Sequence, residues 1–196
     1  MNTKALTISR KEEILEVSAR LFKEKGYAST TMREIAENVG IEAASIYHHF
    51  KGKDELLHEI CFKVARDYTT KMVNIESTYI SPIDKLTTLI RFHIQIVFDN
   101  VNGISVTNNE WRHLLEPGLS EFKKARQTYE NQLGQIINEG IKLGVLKEVD
   151  STVALYTILS SIRWVEAWYK PEKDIHPNII ENNIIQILMN GLQKAS

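Results

Sequence analysis

Residues 42–50 read EAASIYHHF, and hydrogen-bond donors crowd onto this very short piece of chain. Ala43, Ala44 and Ser45 are small, so a backbone carrying them can approach another surface closely. Tyr47, His48 and, just beyond, Lys51 carry a phenol, an imidazole and an ammonium. Interleaved with them, Ile46 and Phe50 stand four residues apart, the spacing of one helix face. The pattern describes a short helix with one face anchored in a core. Its other face is bare at the start and rich in donors at the end. Phosphate oxygens and base edges are acceptors suited to such a face, and an alanine methyl suits the methyl of thymine. Adjacent His48 and His49 would point about 100° apart on a helix, and no Cys or acid stands at ligand spacing, so no metal centre is expected.

The elements that must position these side chains read as helices. Thr31-x-x-Glu34 is a capping box; Ile35, Ala36 and Val39 follow it, and Gly40 stops the segment. Together with residues 41–50 this is the outline of a helix-turn-helix, whose second helix enters the major groove of DNA. Ile46 and Phe50 are expected to pack on Ile35, Ala36 and Val39. Upstream, Ser9-x-x-Glu12 is another capping box, with Ile14, Val17, Leu21 and Phe22 behind it and Gly26 at the end. A long fourth helix begins near Asp54, with Leu57, Ile60, Cys61, Val64 and Tyr68 along one side. Ser81-Pro82-Ile83-Asp84 opens a fifth, with Leu86, Leu89, Ile90, His93, Ile96 and Val97 inward. Asn102-Gly103 is expected to break the chain before a short segment near Glu110–Leu115. A seventh helix is expected from about Ser120 to Leu143. Asp150 caps an eighth that runs to Tyr169, and Pro177 opens the ninth. No segment has a strand period; Val145–Val149 reads as a connection. The expectation is an all-α chain of about nine helices. A three-helix helix-turn-helix domain spans 1–53, and a helical ligand-binding and dimerisation domain spans 54–196.

Composition adds limits. The chain has 196 residues, 43% hydrophobic and 25% charged, with nine Gly and four Pro, which suits long helices joined by short loops. Cys61 is the single cysteine, so no internal disulfide forms and a reducing cytoplasm is the expected setting. No apolar run spans a bilayer and no signal-peptide pattern opens the chain, so no membrane partner is expected. The net charge is −1, but residues 1–53 hold nine Lys and Arg against seven Asp and Glu. That small basic excess would not by itself suggest DNA. There is no glycine-rich phosphate loop, no nucleophile elbow and no His-Glu-x-x-His, so no catalytic residues and no cofactor are expected. A helical enzyme is the competing class, and turnover of a candidate ligand would reveal it; a helical adaptor that binds only protein is a third class and predicts no salt-dependent DNA affinity.

The stretch TTMREIAENVGIEAASIYHHFKGKDEL resembles the DNA-binding signature of the tetracycline-repressor (TetR) family. Thr30, Thr31, Ile35, Ala36, Gly40, Tyr47, Phe50 and Lys53 stand at its marked positions, and upstream Phe22, Gly26 and Tyr27 match as well. The resemblance implies that Thr31 and Lys53 anchor phosphates, that Arg33 contacts phosphate or base, and that Ala43, Ala44, Ser45, Tyr47 and His48 face the groove. It departs at Glu42, usually Ser or Thr, and at Ala43, often Lys or Arg. An acid there suits the helix dipole and repels phosphate.

The same resemblance implies a homodimer through the last two helices, set on a near-palindromic double-stranded operator. In the last helix the stripe Ile180, Ile184, Ile187 or Leu188, and Met189 is the candidate interface. It implies as well a pocket for a small hydrophobic effector among helices four to seven. Candidate lining residues are Phe92, His93, Ile96, Trp111, His113, Leu115, Tyr129, Trp164 and Trp168. NNEWRHL (108–114) and IRWVEAWYKPEKDIHPNII (162–180) resemble family members that answer to CoA thioesters. Arg112, His113 and Arg163 would then face the phosphate or thioester portion. A drug, bile acid or quorum signal is the alternative effector, with efflux or stress genes as the target.

Overall fold

The computed structural model describes residues 9–169 and 175–193. Ten α-helices follow one another among them: α1 (Arg10–Lys25), α2 (Met32–Val39), α3 (Ala43–Ile46), α4 (Lys53–Glu76), α5 (Pro82–Asp99), α6 (Val101–Asn109), α7 (Gly118–Lys142), α8 (Ser151–Arg163), α9 (Val165–Trp168) and α10 (Pro177–Leu192). A 3-10 turn, Trp111–His113, separates α6 from α7. Extended pairing among the described residues is confined to one isolated bridge, Leu146 with Gln193. Residues 145–149 therefore connect two helices, as their composition implies.

Helix starts follow capping chemistry. Ser9 and Glu12 form a reciprocal capping box before α1. The hydroxyl of Thr31 accepts from the Glu34 amide at 3.2 Å. The Glu34 carboxylate pairs with Lys25 instead of reaching back to the cap, so the second box is half made. That Lys25 bond holds the Glu34 carboxyl below its usual range. Ser81 caps α5 with Pro82 in its first turn, and Asp150 accepts from the Thr152 and Val153 amides to cap α8. Gly40 closes α2 in the left-handed conformation, φ 77°, where a side chain is disfavoured.

The chain forms two compact units. The first holds the described residues through Val64 together with Asn102–Phe122. In it α1 packs on α2 and α2 on α3. Its buried side chains include Ile14, Leu21, Phe22, Ile35, Ala36, Ile46, Phe50, Leu56, Leu57 and Cys61. Burial pushes the Cys61 thiol up to about 12, offset in part by Thr107, so it is a protonated core residue. The second unit holds Ala65–Val101 and the described residues from Lys123 onward. Its core joins Met72, Leu86, Leu89, Ile90, Ile94, Leu133, Ile137, Ile158 and Ile162, with α5 packed against α8, α9 and α10. Helix α4 contributes Lys53–Val64 to the first unit and its remainder to the second. A division at residue 53 is thus not where compactness changes.

Three sequence expectations are revised. Asn102 and Gly103 lie inside α6, with Gly103 buried; the interruption is two residues earlier, at Asn100, because close packing tolerates a glycine that propensity disfavours. The eighth helix does not run unbroken to Tyr169 but is interrupted at Trp164, leaving the single turn α9. On α10, Ile180, Leu188 and Met189 are buried in this chain's own core and Ile184 packs against it. The apolar side chains left outside are Ile179 and Ile187.

Candidate nucleic-acid interface

The helix-turn-helix is built as the spacing implies, with a shorter second helix than the motif usually shows. Helix α3 is one α-turn, begun by Glu42, whose carboxylate makes no cap bond. The turn continues by tightened bonds, His48 N to Ser45 O at 3.2 Å and His49 N to Ile46 O at 3.0 Å, until Phe50 N reaches Ile46 O at 3.0 Å. Ile46 and Phe50 are buried, and Lys11 lies 5.1 Å from the Phe50 ring centre. The opposite side is open: Ala43, Ala44, His48 and Lys51 are exposed, Ser45 is half-buried, and Tyr47 is 55% exposed. An exposed tyrosine beside two exposed alanines forms a surface with donors at one end and little bulk at the other.

The flanking candidates behave differently from one another. Thr31 is exposed and its hydroxyl oxygen caps α2. Arg33 is exposed and its Nε donates to Glu37 at 2.9 Å. An exposed i,i+4 pair is worth only about 0.3–0.5 kcal/mol, so Glu37 holds the guanidinium weakly. Lys53 is committed elsewhere. Its ammonium donates to Tyr27 O at 2.7 Å, Thr30 O at 2.9 Å and Ala28 O at 3.2 Å, and lies 4.4 Å from the Tyr27 ring centre. The Tyr27 hydroxyl donates to Asp54, the next residue of α4; burial and that carboxylate both push the phenol up.

The effector candidates divide between the units. Trp111, Arg112, His113 and Leu115 belong to the first. There His113 stacks on Tyr27 at 5.1 Å and lies 3.5 Å from Glu110, Arg112 lies over Trp111 at 4.6 Å, and Leu115 is exposed. In the second unit Phe92, His93 and Tyr129 come together, joined by Tyr68, which the sequence reading placed only on an apolar stripe. His93 Nε2 and the Tyr129 hydroxyl are 2.6 Å apart, and burial lowers the imidazole pKa to about 4. Ile96 is buried on the same helix. Arg163 and Trp164 are exposed; the Trp164 and Trp168 rings are 5.7 Å apart, and the buried Trp168 indole N–H has no acceptor among the described residues. Lys170 and Pro171 lie outside the described residues.

Among the described residues no cluster of three His, Cys, Asp or Glu is placed to hold a metal ion. No helix there is long and apolar enough to cross a membrane.

An exposed donor face on a helix-turn-helix, followed by a larger helical unit, is the arrangement of a DNA-binding regulator. Residues 14–60 match the family of bacterial regulatory proteins, tetR family, and residues 79–192 match the tetracyclin repressor-like C-terminal domain. The chain belongs to the TetR family of DNA-binding transcriptional regulators. It is 26% identical to the HTH-type transcriptional repressor KstR2 of Mycolicibacterium smegmatis, over 99% of this chain and 96% of that one. It is 23% identical to the fatty acid metabolism regulator protein of Bacillus subtilis, covering 92% and 94% of the two chains. The structure of the ketosteroid transcriptional regulator KstR2 of Mycobacterium tuberculosis superposes with a TM-score of 0.90 at 23% identity, covering 95% of this chain and 96% of that one. AibR in complex with isovaleryl coenzyme A and operator DNA superposes with a TM-score of 0.80 at 23% identity, covering 91% and 97%. These structural likenesses establish the fold.

Proposed function

We propose that this regulator is a cytoplasmic repressor that binds a near-palindromic operator as a homodimer and is released by a CoA thioester. The observation that carries the reading is the open face of Ala43, Ala44, Tyr47, His48 and Lys51 on a segment pinned from behind by Ile46 and Phe50. Thr31 and Arg33 extend that face toward the DNA backbone. The dimer is supported by what the second unit leaves uncovered. On α8 an open groove of about 540 Å³ is lined by Thr152, Val153, Tyr156, Thr157, Ser160 and Ser161. Val153 is 65% exposed, and on α10 Ile187 is 71% exposed. A second copy related by a two-fold axis covers such faces reciprocally and sets two reading helices roughly one DNA turn apart, about 34 Å.

The CoA-thioester reading is supported by the isovaleryl coenzyme A bound to AibR and by the fatty-acid and ketosteroid regulators among the relatives. Within the second unit, Phe92, His93 and Tyr129 offer aromatic surface with a polar centre, and Trp164 and Trp168 offer a second aromatic pair. Effector binding acts on the operator through α4, whose residues belong to both units. The effector must bind the released state better than the DNA-bound state, and a difference of about 1–3 kcal/mol changes operator affinity from several-fold to about a hundredfold.

The test is fluorescence anisotropy with duplex DNA from upstream of the protein's own gene, at two salt concentrations and with competitor DNA. Tight, competitor-resistant binding that weakens steeply with salt is expected. Acyl-CoAs of graded length are then added, and release by one length class is expected. Release only by a drug-like hydrophobic compound would favour an efflux or stress regulator. Binding no tighter than to random DNA, in a selection from random sequence as well, would refute the repressor reading.

A further inference from the structure

Lys53 stands where the family resemblance implies a phosphate anchor, yet its surroundings assign it other work. An ammonium has three N–H donors and no acceptor. Here three carbonyl oxygens, those of Tyr27, Ala28 and Thr30, lie within 2.7–3.2 Å of Nζ. They belong to the turn just after α1, beyond its C-cap Gly26, where the carbonyls lie outside the helical ladder and need other donors. The Tyr27 ring adds its face at 4.4 Å. The neighbouring Asp54 takes the Tyr27 hydroxyl proton bond, so the first two residues of α4 grip the same turn at its backbone and at its side-chain tip. Thr30 tightens the turn from inside, its hydroxyl donating to Gly26 O at 2.9 Å. The residue after Thr30 is Thr31, which starts α2 and so fixes where α3 is held. His113 stacks on the same Tyr27 ring at 5.1 Å.

We propose that Lys53 is a positioning residue: it clasps the 27–30 turn and thereby sets α2 and the reading face, and its charge is spent inside the protein and not on a DNA phosphate. The proposal rests on the DNA-reading face assigned above. A phosphate contact and a clasp differ in what salt does. Removing a lysine that touches phosphate lowers the salt slope of binding by about one; removing one that only positions the reader weakens binding at unchanged slope.

The first measurement uses the wild-type protein. Each lysine is labelled with an amine-reactive ester, with and without operator, and read by mass spectrometry. Lys53 is expected to label slowly in both states, while exposed Lys51 labels fast and is protected by DNA. Fast labelling of Lys53 in the free protein, with protection by operator, would overturn the proposal. The second measurement is operator binding against salt for Lys53→Met, Lys53→Arg and, as control, Lys51→Met. Lys53→Met and Lys53→Arg are both expected to weaken binding by about tenfold at unchanged slope, because a planar guanidinium cannot meet three convergent carbonyls. Lys51→Met is expected to lower the slope by about one. A Lys53→Met slope lower by one, with Lys53→Arg near wild type, would refute the clasp. If Lys53→Met does not fold, the labelling and the Lys53→Arg slope still decide. Failure of the wild-type protein to bind any operator would instead count against the DNA-reading assignment and leave the labelling result standing on its own.

Discussion

Acid should weaken this protein in part through one imidazole. His93 is 8% exposed, its Nε2 lies 2.6 Å from the Tyr129 hydroxyl, and Tyr68 packs on its ring at 4.6 Å. Burial drops its pKa from an ordinary 6.5 to about 4. Tyr68 and Tyr129 are both pushed up by burial, so neither offers a counter-charge in acid; Asp67 and Glu166 are the acids whose charges reach Tyr68. The unfolded chain takes the proton near 6.5 and the folded protein only near 4. Stability from neutral burial is therefore complete above about pH 6.5, is lost as pH falls toward 4, and levels off below. At about 1.36 kcal/mol per pH unit, the loss relative to neutral pH is about 2 kcal/mol near pH 5 and about 3 kcal/mol near pH 4. The assay is urea unfolding, followed by tryptophan fluorescence, stepwise from neutral pH to about pH 4.5, for wild type and His93→Gln. Carboxylates titrating in that window do so in both proteins and cancel in the difference. His93→Gln should begin less stable by about 1–2 kcal/mol and lose about 2 kcal/mol less by pH 5, so the initial gap closes or reverses there. Parallel curves would refute a neutral imidazole held in the core.

Other perturbations follow from the geometry. Tyr47→Ala should weaken operator binding by about fivefold, the worth of one hydrogen bond, with unchanged mass in light scattering; unaltered affinity would remove Tyr47 from the reading face. Ile187→Glu places a charge on the exposed side of α10 and should shift the protein to half its mass at micromolar concentration. A persistent dimer would move the interface away from that face. Gly140→Ala puts a methyl 2.6 Å from Leu146 Cδ1, and overpacking there should outweigh the helix-propensity gain by about 1 kcal/mol, lowering Tm by about 2–4 °C. An unchanged or higher Tm would show that Leu146 yields freely.

The sequence was most legible where a local rule and the tertiary structure ask for the same thing. Ser9 with Glu12, Ser81 with Pro82, and Asp150 all start helices where their chemistry says, and the α5 stripe from Leu86 to Val97 is buried as its spacing implies. Ile46 and Phe50 are buried and Tyr47 is open, as their spacing implies. Legibility failed where packing chose among locally equal options. Periodicity picks out the apolar stripe of α10 but cannot tell this chain's core from a partner's. Gly103 is a breaker by propensity and a packing residue in fact. The clasp at Lys53 was illegible because its acceptors are backbone carbonyls from residues 27–30, which carry no side-chain signature. Tyr68 carried a weak signal, a phenol on an otherwise apolar stripe, that sequence spacing alone did not connect to His93.

The first unit is discontinuous along the chain: it takes the residues through Val64 and then Asn102–Phe122. A ribosome makes the chain in one direction, so the DNA-reading unit has its first part long before its last. Synthesis at about 5–20 residues per second puts a lag of several seconds between Val64 and Phe122, during which all of α5 is produced. In that interval Tyr27 is without the stacked ring of His113. The first unit thus waits, incomplete, for a piece of chain encoded after α5. A hybrid regulator joined at one crossover inside α4 would supply that piece from a foreign partner, and two crossovers, bracketing 102–122 as well, are what keep this reading unit whole.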